Sequence, residues 1–291
     1  MITTLKAVLG FVIIALTQMT LAMGAVNITP GDKLRLESVD IAKTSKYELS
    51  ALCRAFYQGT GDQQLDQKIY NFCLFGGLQS SDPDNYAHLG YLGFMQYHGI
   101  GVEKNETKGL ASVRESVNRR SAVGSYLYAR IFCDDSSDRF SPKICEDHLI
   151  LSAMLGEPRA ALMLARFYKG QFAHGSRRGH VLNGHRVVQY LERAISLGSA
   201  EAFEDLACFY SSRNCANPNY PVKDPEQLKY TNDQKAAELF LKCTRFSSTC
   251  NWLLSKYYMD GLGSLPRDAQ KAKTIADRAA AMDASSSKEK F

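Results

Sequence analysis

Apolar residues recur along this chain at helical spacing, in paired runs that stop at glycine. In "RVVQYLERAISLG", Val187, Val188, Leu191, Ala194 and Ile195 share one helix face, and Gly198 follows as a left-handed stop. "LGFMQYHGIGVEKN", Leu92 to Asn105, ends an apolar run at Gly99, adds Gly101, and then turns to charge. The first run of each pair carries the pattern Ala-x-x-x-Leu-small-x-x-aromatic. It is present as Ala160, Leu164, Ala165 and Tyr168, and again as Ala202, Leu206, Ala207 and Tyr210. Weaker copies are Gly124, Tyr128, Ala129 and Phe132, and Cys250, Leu254, Ser255 and Tyr258, with Leu92–Gly93 and Cys53–Arg54–Tyr57 completing the series. The "leucine" positions fall at Cys53, Leu92, Tyr128, Leu164, Leu206 and Leu254, spaced by 39, 36, 36, 42 and 48 residues.

A unit of roughly 36 residues, lengthened by insertions, predicts an array of helical repeats. Gly156 to Leu164 and Gly198 to Leu206 are both 8 residues. A fixed turn length means a fixed packing angle, which stacked repeats need. Within a unit, Gly99 and Gly101 turn the first helix into the second, because glycine takes positive φ without steric cost. Val102 then tucks back as an apolar stopper. Gly261 with Gly263 and Gly59 with Gly61 repeat the device, and small Gly93, Ala165 and Ala207 let paired helices approach closely.

The motif LGxMxYxGxGVxKN (Leu92 to Asn105), and the Asp268-x-x-Lys271-Ala272 that follows Gly263, resemble the Sel1-like repeat, a relative of the tetratricopeptide repeats. The resemblance covers about residues 47–282 and is strongest in the second and last units. The third, fourth and fifth units lack the Gly-x-Gly turn. The fourth instead carries a glycine-rich loop from Gly170 to Gly184, and the fifth carries "SSRNCANPNYPVKDPEQ" with Pro218, Pro221 and Pro225. The resemblance implies an all-α fold, a right-handed α/α solenoid of about six helix–turn–helix repeats. The organisation expected is a signal peptide over 1–25, a lead-in over 26–46, repeats over 47–282, and a disordered polar tail over 283–291.

The leader reading rests on Lys6, the apolar run from Ala7 to Leu16, and small residues at Ala22, Gly24 and Ala25 where cleavage can fall. An uncleaved anchor is the rival, but Thr17, Gln18 and Thr20 interrupt a run already short for a span. No second apolar stretch of spanning length follows, and the first cysteine, Cys53, is far from the cleavage region. A periplasmic or secreted location is therefore expected. Export makes the eight cysteines read as disulfides. They fall into four local couples, and no CxxC-type cluster suggests zinc. Eight cysteines allow 105 pairings, so spacing alone does not fix the connectivity. Cysteine-containing relatives carry a bridge where Cys243 and Cys250 lie. By the same scheme Cys53 pairs with Cys73 across the first hairpin, Cys133 with Cys145 at the third turn, and Cys208 with Cys215 at the base of the proline-rich loop. The rival pairing is Cys208–Cys243 with Cys215–Cys250.

Composition changes the picture little. The 291 residues are 45% hydrophobic and 22% charged, an ordinary globular balance. A net charge of +5 is too weak to imply nucleic acid. No HExxH, GxSxG or P-loop occurs, so no catalytic residue and no cofactor is expected. Ser285-x-x-Lys288 lies in the polar tail and reads as a chance match. His174, His180 and His185 share one loop, but their spacing suits no rigid site and Arg177, Arg178 and Arg186 would repel a cation, so no metal is expected. The loop reads as a basic surface. Asn27 and Asn105 open N-x-Thr sequons.

What remains is binding to another protein. By analogy with the tetratricopeptide arrangement, the residue after the small position points into the concave face. Here it is Arg130, Arg166 and Lys256, with Tyr126, Leu162 and Trp252 four residues earlier on the same helix face. Lys169 joins this set. Aromatic and cationic side chains dominate interface hot spots. The resemblance implies a non-catalytic scaffold, most specifically an immunity protein binding a secreted, type VI lipase-like toxin. The alternatives are an envelope chaperone, regulator or host-interaction adaptor, and more remotely a cell-wall hydrolase, for which the sequence offers no nucleophile constellation.

Overall fold

The computed structural model describes residue 26 and residues 28–77, 85–134, 138–170, 182–216 and 221–288. Among these are fourteen helices and no strand. Helix α1 (Pro30–Ser38) leads in, and six helical hairpins follow. They pair α2 (Lys46–Phe56) with α3 (Gln63–Gly77), α4 (Asn85–His98) with α5 (Glu106–Asn118), and α6 (Ala122–Cys133) with α7 (Pro142–Met154). Next come α8 (Pro158–Tyr168) with α9 (Gly184–Ser196), and α10 (Glu201–Tyr210), after which the short α11 (Pro225–Leu228) precedes its partner α12 (Asp233–Cys243). Finally α13 (Ser248–Asp260) pairs with α14 (Ala269–Lys288). No helix among the described residues is long and apolar enough to cross a membrane.

The chain divides into two compact units within α5, one up to Glu115 and one from Ser116. The first is centred on Tyr57, whose ring lies 4.7 Å from that of Tyr91 and 5.6 Å from that of Phe94, above buried Ile69, Phe72 and Met95. The second buries Leu127, Leu149, Leu164, Phe209, Phe240 and Tyr257 in a continuous series. The residue just before the last of the repeat pattern is apolar in repeats two to six: Met95, Ile131, Phe167, Phe209 and Tyr257 are each at most 3% exposed.

One closure serves hairpins two to six. The cap residue of the second helix donates its N–H to the carbonyl of the last pattern residue of the first helix. The pairs are Asn105 to Gln96 (2.8 Å), Ser141 to Phe132 (2.9 Å), Asn183 to Tyr168 (3.0 Å), Asn232 to Tyr210 (2.7 Å) and Asp268 to Tyr258 (2.9 Å). The same two points meet whether the turn is short or carries a long insertion. This accounts for how repeats four and five accept their loops without losing helix register.

The Gly-x-Gly turns do two different jobs. Gly99 and Gly101 both have positive φ, 76° and 65°, as expected. Gly101 is demanded a second time, because a Cβ there would lie 2.0 Å from the Asp66 carbonyl on α3. Gly263 sits in the same way on α12, where a Cβ would lie 2.3 Å from the Asp233 carbonyl. The second glycine therefore seats each turn on the second helix of the preceding hairpin. Gly61, in the first hairpin, has positive φ but nothing within 4 Å of its missing Cβ, since no hairpin precedes it. Gly93 likewise has no room for a side chain, with the Gly109 carbonyl at 2.7 Å from the Cβ position.

The four local cysteine couples close as Cys53–Cys73, Cys133–Cys145, Cys208–Cys215 and Cys243–Cys250, and no cysteine is free. The alternative Cys208–Cys243 and Cys215–Cys250 pairing does not form. Two boundaries differ from the sequence reading. The lead-in holds α1, started by a capping box in which Thr29 and Asp32 each accept the other's backbone N–H, at 3.0 and 3.1 Å. At the other end α14 continues to Lys288, so residues 283–288 are helical where a disordered tail was expected. The segment expected to be a leader, residues 1–25, and Asn27, His174, Arg177, Arg178 and His180 lie outside the described residues.

Candidate binding surface

The three aromatic- or aliphatic-plus-cation couples on first helices end in three different arrangements. On α6, Tyr126 is only 8% exposed, and the guanidinium of Arg159 on α8 lies over its ring at 4.9 Å. Arg130 remains half-exposed beside it. Tyr126 therefore belongs to the packing between hairpins.

On α8, Leu162 is buried and Arg166 is engaged. Its Nε donates to Asp205 at 2.8 Å and a terminal nitrogen reaches Glu201 at 3.4 Å, both on α10. Burial opposes the guanidinium charge, but Asp205 and then Glu201 overcome it and raise its pKa. The sequence reading placed Arg166 as an exposed cation. The structure makes it a bridge between hairpins four and five, because the acids that neutralise it lie in another repeat. Lys169, the C-cap of α8, is half-buried in the same cluster. Burial, reinforced by repulsion from Arg166, lowers its pKa against the pull of Asp205.

On α13 the expected couple forms. Trp252 is 42% exposed and the Lys256 ammonium lies 5.7 Å from its ring centroid, one helical turn away. The Cys243–Cys250 disulfide and the Ser247 cap, which accepts the Cys250 N–H at 3.0 Å, fix the start of this helix. Trp252 and Lys256 line a cleft of about 440 Å³ with Ser248, Thr249 and Leu253 of α13, Asp283 of α14, and Cys215 and Ala216 of the proline-rich insertion. The insertion is held against the helices from several sides. Cys208–Cys215 anchors it, Arg213 pairs with Asp260, and the Gln227 amide donates to the carbonyls of Cys208 and Phe209 at 3.1 and 3.2 Å.

Arg186, the described member of the basic loop set, also has partners. It donates to the Tyr168 hydroxyl, lies 4.9 Å over the Tyr168 ring, and is 3.7 Å from Glu146, to which Tyr168 donates in turn. Tyr190 stacks on Tyr168 with centroids 5.6 Å apart. The same device recurs downstream. Lys235 lies 5.2 Å over Tyr210 and Lys271 4.3 Å over Tyr258, each from the first turn of the second helix. Arg186 thus clamps the exit of the loop to the repeat.

Burial, and then the carboxylate each hydroxyl donates to, push the phenols of Tyr168 (Glu146) and Tyr257 (Asp233) well above the ordinary value of 10. A group whose folded pKa is raised stabilises fully below its unfolded pKa, and that contribution disappears as pH rises through the folded value. Burial raises Tyr190 and Tyr210 as well, so spectrophotometric titration should show at least four of the 15 tyrosines ionising later than the exposed ones, Tyr168 and Tyr257 last, with stability falling above about pH 10. Tyr168→Phe and Tyr257→Phe should each remove one late phenol. If all phenols titrate together near 10 in folded protein, the two carboxylate pairs are not formed.

The geometry has parallels among solved structures. A Sel1 repeat protein from Oxalobacter formigenes matches with a TM-score of 0.56 at 14% identity, over 81% of this chain and 82% of that one. The Sel1-like repeat is the fold of this chain. A protective antigen of uropathogenic Escherichia coli strains, displaying an SLR fold, matches with a TM-score of 0.54 at 18% identity, over 84% of this chain. This chain spans 46% of that longer protein. No family model and no curated protein matches the sequence. At these identities the Sel1-like architecture is what is shared.

Sequence reasoning found Trp252 and Lys256 but missed Ser248, Thr249 and Asp283. The first two were within reach, one turn before Trp252. Asp283 was not, because its position depends on how far α14 runs.

Proposed function

We propose that this chain is an exported, non-catalytic scaffold that binds another protein through exposed side chains of its first helices. The observation that carries this reading is the Trp252–Lys256 couple. It presents the only tryptophan of the chain, 42% exposed, on a helix whose start is fixed by a disulfide. Exposed tryptophan beside a cation is the composition of an interface hot spot, and a rigid platform loses little entropy on binding. Four disulfides fit an oxidising compartment, in keeping with the leader. Within this role we assign the chain as an immunity protein that neutralises a secreted, lipase-like toxin delivered by a type VI system. That assignment rests on the resemblance to exported Sel1-like proteins.

Capture from the native envelope, without reductant, should recover one identified toxin, and co-production should protect cells from it. Arg130→Glu with Lys256→Glu should weaken capture at least tenfold, since a reversed charge facing an acidic patch costs several kcal/mol. The association rate should fall with added salt. Arg166 is left unchanged, because its reversal would break the bridge to Asp205. Arg177→Glu with Arg178→Glu is the comparison. If the loop pair abolishes capture and the helix pair does not, recognition belongs to the insertion. If the captured protein is a secretion or assembly component, the scaffold stands and the immunity assignment fails.

A further inference from the structure

We propose that the cleft beside Trp252 binds a neutral saccharide, an activity additional to protein binding. At about 440 Å³ the cleft has the size of a small-ligand site. Its lining includes the exposed indole of Trp252 and buried Leu253. Its walls carry hydrogen-bonding groups. The Ser248 and Thr249 hydroxyls bond to no protein group among the described residues, and the Lys256 ammonium pairs with no carboxylate among them. Asp283 adds carboxylate acceptors at the rim.

The charge arrangement selects the ligand. An anion drawn to Lys256 meets Asp283, and a cation drawn to Asp283 meets Lys256. A neutral ligand gains from both, accepting from the ammonium and donating to the carboxylate. It must also place an apolar face on the indole while offering hydroxyls around its edge. A pyranose ring has this form, with C–H groups on one face and hydroxyls at its perimeter. Indole supplies the matching amphipathic surface.

Because the chain has a single tryptophan, its emission reports on this cleft alone. Titration with the N-acetylglucosamine tetramer should give a saturable emission change, with a Kd of about 1 mM or tighter. A neutral tetrapeptide of similar size should give none. Asp283→Asn, and separately Ser248→Ala with Thr249→Val, should weaken binding about tenfold without changing the melting temperature, since the helix cap is Ser247. Trp252→Leu should abolish binding measured by calorimetry. No saturable change with the saccharide, an equal response to the peptide, or variants that bind unchanged would each overturn the assignment. Protein capture shares Trp252 and Lys256 with this cleft but is read with other variants, the Arg130 and Lys256 reversals, in another assay, so either reading can fail while the other stands.

Discussion

Gly101→Ala should lower the melting temperature of the unit up to Glu115 far more than Gly61→Ala, although both residues have positive φ. At Gly61 the added Cβ meets nothing within 4 Å, so only the left-handed backbone is penalised, at about 1–2 kcal/mol. At Gly101 the Cβ would lie 2.0 Å from the Asp66 carbonyl, and the turn must lift off α3. That adds backbone displacement costing about 1–3 kcal/mol. The total is roughly 2–5 kcal/mol, which for a unit of this size is a drop of about 8 °C or more. Melting followed by circular dichroism checks it, with Gly263→Ala as the counterpart in the second unit. Equal shifts at Gly61 and Gly101 would mean that the turn does not seat on the preceding hairpin.

This contrast marks where sequence reading succeeds and where it stops. The turns were legible because positive φ leaves a local signature, and Gly59, Gly61, Gly99, Gly101, Gly156, Gly198, Gly261 and Gly263 all take it. The second reason for Gly101 and Gly263 was not legible, since it comes from a carbonyl in another hairpin. Local cysteine couples were legible for the same reason as the turns. Seven to twenty residues separate each pair, and a helical hairpin brings such positions together.

The candidate surface divides along the same line. Trp252 and Lys256 lie four apart on one helix, and their couple forms as the spacing requires. Arg166 looks identical to Lys256 in the repeat pattern, yet it is bonded to Asp205, thirty-nine residues away. Tyr126 is covered by Arg159 of the next hairpin. A repeat pattern gives each residue's place within its unit. It does not say which charges the neighbouring unit brings. The α1 capping box was readable in Thr29-Pro30-Gly31-Asp32, a short helix start outside the repeat period.

Reduction of the disulfides should have the largest effect of all. The chain-entropy model gives about 2–3 kcal/mol for each bridge of these loop lengths, so four together are worth about 10 kcal/mol. A whole domain is stable by only about 5–15 kcal/mol. The array cannot redistribute that loss, because each repeat is supported only by its neighbours. Every bridge here acts within one hairpin or between consecutive helices, so hairpins one, three, five and six lose covalent support, and hairpins two and four lose that of their neighbours. Reduced protein should melt below about 37 °C, followed by circular dichroism with and without reductant. Cys53→Ala with Cys73→Ala should be the most damaging single removal, at about 3 kcal/mol, since this bridge closes the longest loop and both sulfurs are buried in the first core. Cys208→Ala with Cys215→Ala closes a loop of only seven residues and should cost about 2 kcal/mol. Its main signature should be local, a shift in Trp252 emission as the cleft wall at Cys215 moves. Reduced protein that melts with the oxidised form would show that helix packing alone holds the repeats, and that the bridges are not required for folding.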